Sequence, residues 1–244
     1  MSGPSRAVLV TGGAVRLGRA TVEAFARRGW SVAFTYRRSA DAAASLEASL
    51  REAGAAAASF RADLDDPGDR AALADRVAGR FGRLDALVNN AAVFPRTPIA
   101  GLDEAAFQAV MTTNLEAPLF LTLACAPLLR QARGAVVNVA DIYALHPLRD
   151  HLAYAVSKAA LVAATRSLAV ELAPEIRVNA VAPGIALFPE SYPEETRRRL
   201  LDRTLLKREG GAGEIAAAVA YLVEGTETMT GQVLVLDGGR TVAL

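Results

Sequence analysis

The chain has 244 residues, 52% of them apolar, a formal net charge of +1 and one cysteine. That length supports one well-buried α/β core. The near-neutral charge gives no electrostatic basis for binding nucleic acid or an acidic membrane, and Cys125 alone excludes an internal disulfide framework. Met1 to Arg6 carries no apolar signal region, and no uncharged apolar run reads as long enough to cross a bilayer. The expectation is a soluble, cytoplasmic, single-domain protein over 1–244.

In chain order, Ala7 to Val10 reads as a buried strand. Thr11-Gly12-Gly13-Ala14-Val15-Arg16-Leu17-Gly18 follows, then a helical pattern from Arg19 to Arg28. Strand, glycine-rich turn and helix start are the parts that hold a pyrophosphate: glycines let backbone approach the phosphates, and the helix N-terminus supplies N–H donors. Ser31 to Tyr36 reads as the second strand. An acid at its end would bind a ribose diol, but the sequence there is Tyr36-Arg37-Arg38-Ser39. Two guanidiniums and a hydroxyl suit a 2′-phosphate, with Arg16 a third cation nearby, which favours NADPH over NADH. Helix (40–53), strand (56–62), helix (67–81) and strand (85–89) then alternate, implying a parallel sheet covered on both faces. Asp63, followed by Leu64, ends the third strand where it can meet an adenine amino group. Asn89-Asn90-Ala91 closes the fourth.

Ala105 to Leu129 reads as one long helix holding Asn114, with Pro118 disturbing the backbone bonds beside it. Ala135 to Val139 is the fifth strand and delivers Asp141. Tyr154 and Lys158 lie four apart in a helix that runs to Leu172, so they share a face. A neighbouring ammonium favours the phenolate, which makes Tyr154 with Lys158 a general acid/base candidate. Ile176 to Val181 is the sixth strand, followed by Pro183-Gly184-Ile185. Residues 186–207, with Pro189, Pro193 and the run Arg197-Arg198-Arg199, are the least regular stretch. Ala212 to Val223 is a helix and Gln232 to Leu236 the last strand. His146 and His151 fit no metal-ligand spacing and read as loop residues flanking the site.

Thr11-Gly12-x-x-x-x-x-Gly18, Asn89-Asn90-Ala91, Tyr154-x-x-x-Lys158 and Pro183-Gly184 together resemble the short-chain dehydrogenase/reductase family over nearly the whole chain. The resemblance implies one doubly wound Rossmann-type α/β domain with a seven-stranded parallel sheet in the order 3-2-1-4-5-6-7. It implies hydride transfer from a nicotinamide and Tyr154 as proton donor. Lys158 would lower the tyrosine pKa and hold the ribose, Asn114 would organise a relay water, and Pro183-Gly184-Ile185 would meet the nicotinamide amide through backbone groups. It also implies a mobile lid over 186–207, with Leu187 beside the substrate. The assembly would be a homotetramer or homodimer, with the Asn114 and Tyr154 helices meeting through Ala159, Ala160, Ala163 and Ala164.

Two departures carry more information. The family usually has glycine where Arg16 stands, and a serine where Asp141 stands thirteen residues before Tyr154; both changes resemble the pteridine reductases. A serine donates to a ketone oxygen, whereas an ionised carboxylate only accepts, so Asp141 would orient Tyr154 or pass a proton. Phe94 matches a phenylalanine that stacks a pterin. The tail Leu236-Asp237-Gly238-Gly239-Arg240 is similar to that of the dihydromonapterin reductases. Ala92 and Ala186 are mismatches, standing where some pteridine reductases carry serines. The expectation is NADPH-dependent reduction of a dihydropterin, or of dihydrofolate, with Phe94, Asp141, Tyr154 and Leu187 on the substrate. The alternatives are a carbonyl-reducing member of the family and a non-catalytic NADPH sensor.

Overall fold

The computed structural model describes residues 5–188 and 192–243. Residues 1–4 of the N-terminal segment and Pro189 of the expected lid lie outside the described residues. Strands β1 (Ala7–Val10), β2 (Ser31–Tyr36), β3 (Ala57–Arg61), β4 (Ala86–Asn89), β5 (Ala135–Val139), β6 (Arg177–Pro183) and β7 (Val233–Leu236) form a seven-stranded sheet. Its order is β3-β2-β1-β4-β5-β6-β7, with every pairing parallel. This is the expected order. The strands are short apolar runs because both faces are covered: β1, β4 and β5 are buried throughout.

Alternation along each strand sorts the core into two layers. Val8, Val10, Val88 and Val137 face α1 (Arg16–Arg27), α2 (Ala40–Glu52) and α8 (Gly211–Glu224) through Phe25, Leu46 and Ile215. Leu9, Leu87 and Val136 face α3 (Pro67–Phe81), α5 (Ala117–Ala132) and α6 (Leu152–Leu172) through Leu73, Leu121 and Leu168. Burying each such Leu or Phe stabilises the fold by roughly 1.5–3 kcal/mol over leaving it exposed. Helix boundaries follow local chemistry. Asp66 caps α3 by accepting from the Asp69 N–H at 2.8 Å, Pro67 opens it, and Gly82 at φ 72° ends it.

Two expectations are corrected. The helix read as one over 105–129 is α4 (Glu104–Met111) and α5 joined by a π-helical turn at Thr112–Glu116. The Ala117 N–H bonds the Thr112 carbonyl five residues back. Pro118 explains the widening: it has no N–H to direct at the Asn114 carbonyl, and its ring would crowd that carbonyl in a regular α-helix. Joined this way, Glu104–Ala132 is a 29-residue helical run long and apolar enough by length and composition to cross a membrane, interrupted by Glu116 and Arg130. In the fold, its Leu121, Cys125 and Leu129 cover the sheet. The second correction is that α1 begins at Arg16, inside the glycine turn, three residues before the expected start.

The sheet order reverses between β1 and β4. A crevice therefore opens beyond their carboxyl ends, where ligands bind in such sheets. Thr11, Asn90, Asp141 and Pro183 all stand at that edge.

Candidate active site

The crevice is built on a staple between β1 and β4. Thr11 Oγ1 accepts from the Asn90 and Ala91 N–H groups at 2.9 and 3.0 Å. Asn90 Nδ2 donates back to the Thr11 carbonyl at 2.8 Å. Thr11 and Asn90 thus fix the shape of the cradle. Gly12 sits at φ 62°, and a Cβ on Gly18 would lie 2.2 Å from the Gly12 oxygen, so α1 can start against this turn only with glycine at 18. A cavity of about 360 Å³ opens over the turn, lined by Gly12, Arg16, Leu17, Gly18, Tyr36, Arg37, Asp63, Leu64, Asn90 and Ala91. Ten of the expected cofactor residues therefore share one concave surface of glycine backbone, helix N-terminus and two guanidiniums. That donor set fits a dinucleotide bearing a 2′-phosphate. Arg38 and Ser39 do not line the cavity; Ser39 instead precedes the first turn of α2.

Arg37 is already engaged, donating to Asp63 Oδ1 at 3.2 Å and Asp65 Oδ2 at 2.9 Å. Burial alone would push Asp63 up, but the Asp65 N–H and the Arg37 guanidinium hold it below the usual carboxylate range. A 2′-phosphate has to draw Arg37 from these acids. Asp65, which also accepts from the Thr113 hydroxyl at 2.7 Å, was not foreseen; its place two residues after the predicted Asp63 is the only sequence signal for it. Arg16 has φ 52° and donates to the Leu187 carbonyl at 3.3 Å. That contact ties the glycine turn to the start of the expected lid, whose later part is helix α7 (Glu194–Leu201).

Across the crevice stand Asp141, Tyr154 and Lys158. Asp141 Oδ1 accepts from the Tyr143 N–H at 2.8 Å, and Oδ2 accepts from the Tyr154 hydroxyl at 2.9 Å. Burial raises the Asp141 pKa above the ordinary carboxylate value, against the opposing pull of the Tyr143 N–H, Tyr154, Lys158 and Arg240. Lys158, 2% exposed, donates to the Val139 carbonyl at 2.7 Å. Burial lowers its pKa to about 8, with Asp141 opposing. Tyr154 differs from the expectation that Lys158 would lower it. Burial first, then the Asp141 charge and hydrogen bond, push its pKa well above the ordinary tyrosine value. The tyrosine is held as a proton donor.

The Asn114 side chain is fully engaged within the fold. Its Oδ1 accepts from the Val93 N–H at 2.9 Å, and Nδ2 donates to the Val93 carbonyl at 2.9 Å and to Ser157 Oγ at 3.1 Å. It clamps the loop after β4 to the tyrosine helix. Phe94, at the end of that loop, packs edge-on against Tyr154 with centroids 4.5 Å apart. It stacks on His151 at 4.4 Å and lies parallel to Tyr143 at 6.3 Å. His151 therefore flanks the site as expected; Tyr143 is a further wall that its place two residues after Asp141 alone would have marked. In Pro183-Gly184-Ile185, the Gly184 N–H is committed to the Leu236 carbonyl at 2.9 Å, while the Ile185 carbonyl accepts from Gly210 N–H at 2.9 Å and keeps a second lone pair. Among the described residues no cluster of metal ligands occurs.

A family model described as enoyl-(acyl carrier protein) reductase matches residues 13–241. The chain belongs to the short-chain dehydrogenase/reductase family. Among the short-chain dehydrogenases and reductases it resembles is a probable galactose dehydrogenase, GalD, of Rhizobium meliloti, 34% identical over 96% of this chain and 94% of the relative. A dihydromonapterin reductase of Enterobacter sp. (strain 638) is 34% identical over 97% of each chain. A solved structure of the FolM alternative dihydrofolate reductase 1 from Brucella suis, in complex with NADP, superposes with a TM-score of 0.93 at 35% identity, covering 100% of this chain and 98% of that one. As a member of this family the protein is an oxidoreductase.

Proposed function

We propose that this short-chain reductase uses NADPH to reduce a dihydropterin, or dihydrofolate, to the tetrahydro form. The observation that carries the reading is the 2.9 Å hydrogen bond from Tyr154 to Asp141, which sets an acid able to hold and return a proton where carbonyl chemistry uses a hydroxyl. The identity to a dihydromonapterin reductase and the likeness to the NADP complex of FolM support it. Gly12, Gly18 and the start of α1 would hold the pyrophosphate, Arg37 the 2′-phosphate, and Lys158 the ribose beside the ring.

When bound, the dihydronicotinamide supplies the hydride. The chain supplies the rest. Tyr154, kept protonated by burial and Asp141, donates to the ring nitrogen of the reduced C=N bond. Asp141 orients the phenol and returns a proton to it. Lys158 uses one of its three donors on Val139 and has two left for ribose hydroxyls. Phe94 provides an apolar plate against the flat ring. Exposed Phe120 and Leu123 on α5 and Val156 on α6 support assembly as a homotetramer or homodimer through these helices, which light scattering of the purified protein would test.

The deciding assay is NADPH oxidation with dihydrobiopterin or dihydromonapterin, in wild type and Asp141→Ser. Turnover in wild type, reduced about 100-fold or more in the variant, is the expected result. Losing Asp141 also removes two of the influences that raise Tyr154, so the alkaline limb of kcat should move to lower pH. Turnover of a 3-oxoacyl thioester or a sugar without turnover of any dihydropterin would overturn the substrate in favour of the carbonyl reading that GalD favours.

A further inference from the structure

Arg240 follows the glycine pair after β7 and is 7% exposed. Among the described residues its guanidinium makes no hydrogen bond and no ion pair. Its central carbon lies 5.9 Å from the Tyr143 ring centre, and its charge reaches both Asp141 and the Tyr143 phenol. No ion pair joins it to Asp141, whose two oxygens accept hydrogen bonds from Tyr143 and Tyr154. Other well-covered arginines of this chain donate to backbone carbonyls, although Arg70 Nε is left without a partner. Arg177 donates to the Leu222 and Val223 carbonyls at 2.7 Å each, and Arg70 to the Leu64 carbonyl at 2.6 Å. Arg203, after α7, also lies within electrostatic reach of the Tyr143 phenol.

The Arg240 side chain is covered, yet its five donors meet no protein acceptor among the described residues and are left for a ligand. A neutral carbonyl would satisfy some donors and leave the charge uncompensated; an anion removes both deficits. We propose that Arg240, with the Tyr143 hydroxyl beside it, forms a subsite for a carboxylate-class substituent of the substrate, next to the Asp141–Tyr154 pair. Arg203 adds positive charge at its mouth. The inference rests on this pair being the reducing site, and it holds whether a ring C=N or a ketone is reduced. The protein then prefers the acid form of a substrate over its neutral ester.

The test is the ratio of kcat/KM for matched acid and ester substrates in wild type, Arg240→Met and Arg240→Lys. Dihydrofolate against its dimethyl ester serves the pterin reading, and acetoacetate against ethyl acetoacetate the carbonyl reading. Wild type should prefer the acid. Arg240→Met should cut that preference by about 10-fold or more, through KM, and Arg240→Lys should retain part of it. Urea unfolding of the ligand-free protein gives a second readout: a subsite arginine costs stability, so Arg240→Met should be at least as stable as wild type. An unchanged acid-to-ester ratio, or a wild type without preference for the acid, overturns the inference, as does an Arg240→Met variant that loses stability and both substrates equally. If neither pair is turned over, the proposed function falls, and calorimetric binding of folate and its diester to the NADP⁺ complex of the same three proteins still decides the subsite.

Discussion

Replacing Lys158 with methionine should stabilise the ligand-free protein at neutral pH and abolish part of its pH dependence. Burial takes the Lys158 pKa from 10.5 to about 8. At about 1.4 kcal/mol for each tenfold change in the proton equilibrium, the charged form carries about 3 kcal/mol of destabilisation. The unfolded chain holds this proton to about pH 10, whereas the folded chain releases it near 8. Between those values the unfolded state binds more protons, so stability rises with pH across that window. Methionine fills a similar volume without charge, but strands the Val139 carbonyl at about 1–3 kcal/mol. The net expectation at about pH 7 is a gain of roughly 0–2 kcal/mol, turning into a loss of about 1–3 kcal/mol near pH 10 as wild type sheds its buried charge. Urea unfolding of both proteins across that range measures the difference directly. A variant less stable than wild type by the same amount at both ends would show that the lysine is not held against its charge. On the proposed function this cost has a use: the two spare ammonium donors would serve a cofactor's ribose.

Arg16→Gly should stabilise the fold by up to about 1 kcal/mol, since a left-handed backbone costs a side chain roughly that much, and should raise KM by freeing Leu187; a lower melting temperature would refute the strain argument. With dihydropterin as substrate, kcat should fall as pH rises through the raised titration of Asp141, and this limb should vanish in Asp141→Asn. A flat kcat across the acid range in wild type would show that Asp141 works only as an anion.

The strands and the cofactor edge were legible from local signals, apolar runs of strand length and a glycine turn, while the sheet order came from the family that four motifs in sequence resemble. Side-chain partnerships were less so. Nothing in Tyr154-x-x-x-Lys158 reveals that the ammonium is spent on the Val139 carbonyl while the carboxylate reaches the phenol, because helix spacing fixes a shared face and not the torsions that choose a partner. Asn114 read as a polar group inside a helix; its clamp on Val93 and Ser157 depends on the π-turn that Pro118 imposes. Arg240 and Asp65 act from a tail and a loop, where no periodicity marks them. Arg16 was legible as a missing glycine, and its positive φ shows that the backbone kept the shape glycine would have allowed.

The Tyr154–Asp141 hydrogen bond sets a condition on the chemistry. A phenol has one proton, and in this structure it points at Asp141. A substrate nitrogen competes for the same proton. While Asp141 is ionised, turning the hydroxyl to the substrate leaves two electron-rich oxygens facing each other in a buried site, and the phenolate formed on donation would lie beside a carboxylate. A protonated Asp141 removes both costs: it donates to the phenol oxygen while the phenol donates to the substrate, and after transfer it passes its proton on. Burial already drives Asp141 towards that form, and the same burial keeps the proton on Tyr154. A serine at 141 would donate to the phenol too, but it could not hand over a proton near neutral pH. The acid therefore suits a reaction whose product must keep the proton on nitrogen.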